Sequence, residues 1–228
     1  MTILHIETST NVCSVAVNHN SECIFTVSNN EGMNHAALLS GFIQDAMLQV
    51  KSLGLKLDAV AVSSGPGSYT GLRIGISTAK GLCYGLDIPL ISVSTLEVLT
   101  ISAINTLTDT ASNVLFCPMI DARRMEVYSG FFDKNLQSHR DISADIIDES
   151  SYAEILEQNR VYFFGNGADK CKPLLTHENA HFLDNIFPDA KNMILLAEKK
   201  YLSKQFENVA YFEPFYLKEF HTTAPKIG

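Results

Sequence analysis

Residues 59–73 read Ala59-Val60-Ala61-Val62-Ser63-Ser64-Gly65-Pro66-Gly67-Ser68-Tyr69-Thr70-Gly71-Leu72-Arg73. The first six residues have the small and apolar character of a buried strand, and a helical pattern follows the last glycine. Three glycines and a proline within seven residues favour a backbone that turns sharply. Because the start of a helix presents free N–H groups to an anion, this junction is first a candidate phosphate-binding loop.

The junction departs from both common phosphate-binding motifs. A Walker A loop requires a lysine directly after its last glycine, whereas Leu72 and Arg73 follow Gly71 here. A Rossmann fingerprint requires a shorter spacing than the one from Gly67 to Gly71, and an acid where Ser92-Val93-Ser94 stands. Both nucleotide-loop interpretations are therefore disfavoured.

The helix after the loop carries Gly71, Gly75, Gly81 and Gly85. A glycine inside a helix costs about 1 kcal/mol relative to alanine, so these positions need a compensating gain. Small residues spaced by four let another backbone approach closely. We therefore predict that this helix is a packing surface, either inside the protomer or at a subunit interface.

The first half of the chain predicts a meander of three strands followed by alternating helices and strands. Apolar residues recur at intervals of three and four from His35 onward, which is typical of an amphipathic helix with Asn34 as its N-cap. In the ribonuclease-H-like order, three antiparallel strands are followed by parallel strands, and helices connect the parallel strands. The predicted strands are residues 3–7, 13–17, 24–27, 59–64 and 89–93. A second helix is predicted to end at about Gly85. A third helix, with Ser94 or Thr95 as its N-cap, is predicted to end at about Thr106.

The same order of motifs restarts after a polar stretch at residues 106–113, which we interpret as a linker. This predicts an N-terminal lobe over residues 1–108 and a degenerate copy over residues 109–228, whose tail packs back on the first lobe. The second half is predicted to contain strands at 114–121, 126–132, 136–142 and 161–165, and helices at 152–158, 169–175 and 190–206.

Composition narrows the class of protein. Hydrophobic residues at 46% and charged residues at 18% indicate a folded globular chain, and no apolar run approaches the roughly 20 residues of a membrane span. The N-terminus has no signal-peptide pattern, so we expect a cytoplasmic protein. Five scattered cysteines predict buried thiols. A net charge of −8 argues against direct binding of this chain to a nucleic-acid backbone. If nucleic acid is bound, another subunit would supply the positive charge that binding requires.

Four segments carry a family resemblance: Ile6-Glu7-Thr8-Ser9-Thr10, the stretch from Ser64 to Arg73, Ile120-Asp121-Ala122-Arg123-Arg124-Met125-Glu126-Val127-Tyr128 and Glu213-Pro214-Phe215-Tyr216-Leu217. Together they resemble the TsaB (YeaZ) family, glycoprotease-like proteins required for threonylcarbamoyladenosine formation in tRNA. The resemblance implies two ribonuclease-H-like lobes of the actin-like ATPase (ASKHA) superfamily, an α/β fold with mixed five-stranded sheets.

The resemblance also implies a non-catalytic scaffold subunit. Its expected partners are a TsaD-like catalytic paralogue, a TsaE-like ATPase and, in isolation, a second copy of the chain, with tRNA reached indirectly and no membrane involved. We expect no tightly bound cofactor, because ATP and a metal ion would be used by the partner subunits. The predicted interface, driven by apolar burial, comprises His35, Leu38, Leu39 and Phe42 on the first helix and Arg73, Gly75, Ile76, Ala79 and Lys80 on the second.

No catalytic residue and no metal ligand are predicted. The catalytic paralogue is expected to carry two histidines four residues apart on the helix after the fifth strand, and Thr95 and Leu99 stand at those positions. Glu7 replaces the aspartate usual in the family. We favour the interpretation that such acids satisfy turn N–H groups. The alternative is a vestigial nucleotide pocket lined by Glu7, Thr8, Ser9, Gly65, Gly67 and Asp121.

Two other functions stay open at this point. The first is a small-molecule kinase or ATPase with the same lobes and an active cleft. A metallopeptidase is less favoured, because the scattered histidines offer no convincing set of three ligands.

Overall fold

The computed structural model describes residues 1–30, 32, 34–107 and 113–217. The first half forms strands β1 (Thr2–Glu7), β2 (Cys13–His19), β3 (Glu22–Asn29), β4 (Ala59–Gly65) and β5 (Leu90–Ser94), with helices α1 (His35–Ser52), α2 (Tyr69–Leu86) and α3 (Thr95–Ile104). The second half forms strands β6 (Val114–Asp121), β7 (Glu126–Phe132), β8 (Ser138–Ile146), β9 (Arg160–Phe164) and β10 (Ala180–Leu183), with helices α4 (Ala153–Gln158) and α5 (Ile194–Leu202).

The two sheets have the same topology. The first has the order β3-β2-β1-β4-β5, and the second has the order β8-β7-β6-β9-β10 when read in the same sense. In each sheet the central strand pairs with an antiparallel hairpin on one side and with a parallel strand on the other. The predicted ribonuclease-H-like order is therefore confirmed in both halves.

The sheets and helices stack in layers. Helices α1 and α2 cover one face of the first sheet, where Leu39 and Ile76 pack on Ile6. Helix α3 lies between the two sheets, since its Val98 packs with the first sheet and its Leu96 and Leu99 pack with the second. Contact with both sheets explains why seven of the ten residues of α3 are buried. Helix α4 covers the outer face of the second sheet.

Several elements differ from their predictions. The helix expected over residues 169–175 is a single 3-10 turn, Asp169–Cys171, because Pro173 has no backbone N–H to donate to the Asp169 carbonyl as an α-helix requires. The helix expected over residues 190–206 is a 3-10 turn, Ala190–Met193, followed by α5, which ends before the left-handed Lys204 (φ 55°). Strand β10 was not predicted, since it is a four-residue edge strand.

Capping also differs from expectation. Asn34 and Ser94 precede α1 and α3, but neither side chain forms a capping hydrogen bond. Ser68 caps α2, where its hydroxyl accepts a hydrogen bond from the Gly71 N–H at 3.2 Å. The start of α2 is therefore fixed by a residue of the glycine loop itself.

Residues 190–217 pack on the first sheet, although they follow the second sheet in sequence. Met193 and Ala197 lie against Ile3 and Ile91, on the face opposite α1 and α2. The linker expected at residues 106–113 and the boundary after residue 108 fall partly on residues 108–112, outside the described residues. A division into residues 1–108 and 109–228 stays a proposal.

Burial of the cysteines corrects one prediction. Cys13, Cys83, Cys117 and Cys171 are buried free thiols as expected, whereas Cys23 is exposed because it lies on the outer edge strand β3. Within the described residues, no helix combines the length and the apolar character that crossing a bilayer requires.

Candidate functional site

The turn after β1 and the glycine loop after β4 are joined by hydrogen bonds. The Ser68 N–H donates to the Ser9 carbonyl at 2.6 Å, and the Thr8 hydroxyl donates to the Gly71 carbonyl at 2.8 Å. Both segments stand at the carboxyl ends of neighbouring parallel strands, so the fold brings them together. Thr8, Ser9 and Gly67, three residues of the predicted pocket, therefore lie at one place.

The glycines of this junction are required by close packing. A Cβ atom on Gly67 would lie 2.3 Å from the Ser9 carbonyl oxygen, and one on Gly71 would lie 2.1 Å from the Thr8 carbonyl oxygen. A Cβ atom on Gly75 would lie 2.2 Å from the Thr8 hydroxyl oxygen. Gly71 and Gly75 thus let α2 approach the first turn inside the protomer. These two glycines therefore serve packing inside the protomer and not packing at a subunit interface.

Glu7 is fully buried at the end of β1 and bonds its own turn. Its Oε1 accepts a hydrogen bond from the Ser9 N–H at 2.6 Å, which agrees with the interpretation that the acid satisfies turn N–H groups. Burial raises the pKa of the Glu7 carboxyl to about 7. Its Oε2 has no hydrogen-bond partner among the described residues. A carboxyl group that keeps its proton up to neutral pH is a weak ligand for a divalent cation.

Asp121 occupies the matching position at the end of β6, but its contacts lie in the second half of the chain. Its Oδ1 accepts a hydrogen bond from the Arg123 N–H at 3.2 Å and forms an ion pair with Lys170. Its own N–H donates to Oδ1 of Asn166 at 3.0 Å. The structure therefore separates the predicted pocket into two groups of contacts, one around Glu7 and one around Asp121.

Five of the nine predicted interface residues cannot contact a partner directly. His35, Leu39, Gly75, Ile76 and Ala79 are buried inside the protomer. They lie on the inner faces of α1 and α2 because an apolar stripe on a surface helix packs on its own sheet. His35 is held there by a 2.7 Å hydrogen bond from its Nε2 to the Thr10 carbonyl. This part of the interface prediction is wrong.

The other four predicted residues retain some exposure, but two of them are engaged. Arg73 donates from Nε to the Tyr216 hydroxyl at 3.1 Å, and Lys80 donates to the carbonyls of Ala210 and Phe212, each at 3.1 Å. Leu38 and Phe42 are partly buried at the edge of the first core. Few of the predicted interface side chains are therefore both exposed and available to contact a partner.

Sequence reasoning missed the exposed faces of α1 and α2. We define the outer face as Ala37, Ser40, Gly41, Gln44 and Leu48 of α1 together with Ser77, Gly81, Tyr84 and Gly85 of α2, all exposed. A Cβ atom on Gly41, Gly81 or Gly85 would meet no atom within 4 Å. The signal was present in the sequence, because these positions are the complement of the apolar stripes at a helical period.

The described residues contain no group of three histidine, cysteine, aspartate or glutamate side chains that could hold a metal ion. Thr95 and Leu99, which stand where the paralogue is expected to carry histidines, are both buried on α3. Neither a hydroxyl nor an alkyl group replaces an imidazole as a metal ligand.

Comparisons with known proteins point to two related groups, both named for threonylcarbamoyladenosine in tRNA. The family model described as TsaD, tRNA N6-adenosine threonylcarbamoyltransferase, matches residues 29–225. The tRNA threonylcarbamoyladenosine biosynthesis protein TsaB of Haemophilus influenzae is 31% identical over 96% of this chain and 94% of its own length. The TsaB protein of Escherichia coli is 30% identical over 96% of this chain and 95% of its own length.

A solved structure gives the same result for the fold. YeaZ from Pseudomonas aeruginosa superposes with a TM-score of 0.77 at 25% identity and covers 95% of this chain and 99% of its own. The predicted α/β fold with two mixed five-stranded sheets is confirmed. The chain belongs to the TsaB (YeaZ) family of tRNA threonylcarbamoyladenosine biosynthesis proteins.

Proposed function

We propose that the chain is a non-catalytic scaffold subunit of the assembly that forms threonylcarbamoyladenosine in tRNA. It binds a TsaD-like catalytic paralogue and a TsaE-like ATPase, and it pairs with a second copy of itself when they are missing. The observation that carries the proposal is the first turn, where the acid is buried, protonated up to about pH 7 and bonded to its own backbone.

The packing around this turn supports the non-catalytic part of the proposal. Helix α2 lies so close to Thr8 that Gly71 and Gly75 leave no room for a Cβ atom. Two N–H groups at this helix start are already bonded, that of Ser68 to the Ser9 carbonyl and that of Gly71 to the Ser68 hydroxyl, so a ligand phosphate would have to compete with them. ATP and metal ions would therefore be bound by the partner subunits, and this chain would hold no cofactor tightly.

The outer face of α1 and α2 supports the docking part of the proposal. Gly41, Gly81 and Gly85 leave a shallow surface on which a partner helix can approach closely. Large apolar side chains flank these glycines, with Leu48 59% exposed and Tyr84 86% exposed. Tyrosine is enriched among the residues that contribute most to binding energy at protein interfaces. We place the partner on this face and not on the buried stripe.

The charge of the chain supports an indirect role toward tRNA. A net charge of −8 repels a phosphate backbone, so the positive charge that tRNA requires would come from the partner subunits. A cytoplasmic location is part of the same proposal, since free cysteines are typical of a reducing compartment.

A substitution on the outer face tests the docking proposal. Gly81→Leu adds a bulky side chain where the protomer has open space, so the chain should fold normally. We expect its affinity for the organism's TsaD-like paralogue to fall at least about tenfold, measured by calorimetry, because a leucine blocks close helix approach. Gln158→Leu on α4 is the matched control. Equal affinity of the two variants would contradict the proposal.

Gly75, by contrast, is unsuitable for this test. A larger residue there would collide with Thr8 inside the protomer, so a loss of binding would report misfolding. The distinction between Gly75 and Gly81 makes the docking proposal testable with folded protein.

A further inference from the structure

The last described segment of the chain runs back along the first lobe, and we call residues 207–217 the strap. The Glu207 N–H donates to the Leu90 carbonyl at 2.9 Å, and the Phe215 N–H donates to the Ser64 carbonyl at 2.7 Å. The Glu207 carboxylate also accepts a 2.5 Å hydrogen bond from the Ser92 hydroxyl. The strap is thus attached at both of its ends, to strands β5 and β4.

Two basic side chains of α2 hold the middle and the end of the strap. Lys80 donates to the carbonyls of Ala210 and Phe212, each at 3.1 Å. Arg73 donates to the Tyr216 hydroxyl at 3.1 Å, and its guanidinium lies 4.0 Å from the centre of the Tyr69 ring. Each of these contacts depends on one α2 side chain at the edge of the protein, so each can be removed by one substitution.

The strap forms one wall of a cavity between the two lobes. The cavity has a volume of about 630 Å³ and is lined by Ser64, Gly65, Ser92 and Ser94 of the first sheet, Ile142 of β8 and strap residues 212–216. In open α/β sheets, ligands bind at the carboxyl ends of the strands, where these serines and Gly65 lie. The Phe215 carbonyl packs so closely that a Cβ atom on Gly65 would lie 2.9 Å from its oxygen.

The attachment of the strap is weak compared with that of a strand. Tyr211 and Phe215 are 84% and 47% exposed, so their rings contribute little burial. Val209 and Phe212 pack only at the edge of the first core. Segments with few buried contacts open locally at lower free energy than the whole domain unfolds.

We propose that the strap is a lid over the serine-lined end of this cavity, where it covers Ser94, and that it opens locally while the first lobe stays folded. The Ser94 hydroxyl reports on this movement, because its oxygen is buried beside the strap and has no hydrogen-bond partner among the described residues. A thiol at this position is shielded while the lid is closed and reacts with solvent reagents while it is open.

The test measures the rate at which a maleimide labels Ser94→Cys in the full chain carrying Cys23→Ser, which removes the exposed native thiol. Lys80→Met removes both clasping hydrogen bonds, and Lys51→Met on α1 is the matched control. We expect Lys80→Met to speed labelling about tenfold, the factor for losing hydrogen bonds to a charged group. Low denaturant should change this rate little, because local opening exposes little surface.

Two results would overturn the proposal. In the first, Lys80→Met labels at the rate of the Lys51→Met control, which would mean that the strap does not limit access. In the second, labelling of Lys80→Met rises with denaturant as steeply as global unfolding does, which would make the strap part of the cooperative fold.

Discussion

The two halves of the chain each place a glycine turn at the end of a parallel strand, Gly65 at the end of β4 and Gly165 directly after β9. Both glycines have a positive φ, 109° and 97°, and each turn packs on the end of the central strand of its sheet. After the turn the halves differ. The first continues into the 18-residue helix α2, whereas the second forms one 3-10 turn before Pro173.

The acids beside the two turns also differ, since one is buried and the other is exposed. Glu7 is buried under the first turn, and burial raises the pKa of its carboxyl to about 7. Asp121 is exposed beside the second turn and forms an ion pair with Lys170. Duplicated topology therefore does not give the two junctions the same role. The first junction supports a long helix with a free outer face, and the second is a simple surface turn.

The largest expected effect concerns the glycines of α2. Gly71→Ala should destabilise the fold by about 3 kcal/mol, because its Cβ atom would lie 2.1 Å from a backbone oxygen that cannot rotate away. Gly81→Ala should instead stabilise it by up to about 1 kcal/mol, since alanine is the better helix former and the site is open. Urea unfolding of both variants measures the difference. Equal effects would remove the distinction between the inner and outer faces.

The next effect is the pH dependence contributed by Glu7. Its pKa is about 7 in the folded chain and 4.5 in the reference state, so the folded state binds more protons between these values. Its contribution is therefore full below about pH 4.5 and is lost as the pH rises through 7. The stability of the wild type relative to Glu7→Gln should fall by about 3 kcal/mol between pH 4.5 and 8.

Denaturant unfolding at a series of pH values measures this difference. His5, whose pKa burial lowers to about 4, is present in both proteins, so its own contribution cancels. Parallel stability curves for the wild type and Glu7→Gln would show that the buried acid of the first turn does not titrate as described.

The smallest effect is expected at the second junction. Lys170→Met breaks the ion pair with Asp121, whose groups are partly exposed, so the free energy of unfolding should change by no more than about 1 kcal/mol. Affinity for the TsaD-like paralogue should stay unchanged, as titration calorimetry can measure. A large loss of affinity would extend the docking surface to the second half of the chain.

The sequence predicted strands better than surfaces. The strands Val114–Asp121 and Glu126–Phe132 lie at their predicted positions, because each is a buried apolar run bounded by turn residues. The 3-10 turn at 169–171 was missed because the influence of Pro173 was not weighed. Strand β10 was missed because a short, half-buried edge strand has no strong pattern.

The site was harder to predict for a geometric reason. Apolar periodicity marks the face of a helix that packs on its own sheet, so Leu39, Ile76 and Ala79 were wrongly assigned to an interface. The glycine spacing was equally ambiguous. Gly75 and Gly81 are separated by six positions, which is about one and two-thirds helical turns. The pair Gly71 and Gly75 therefore lies on a different face of the helix from the pair Gly81 and Gly85. The two pairs are distinguished by their distance to Thr8, which can be read only from the folded structure.

The most direct test of the scaffold account is the rate of threonylcarbamoyladenosine formation on tRNA by the reconstituted assembly, with Glu7→Gln in this chain and wild-type partners. We expect a rate within about twofold of the wild type, because the buried acid only supports its own turn and contacts no reacting group. A fall of about a hundredfold with unchanged partner affinity would contradict it, and would show that the cleft of this chain takes part in the chemistry.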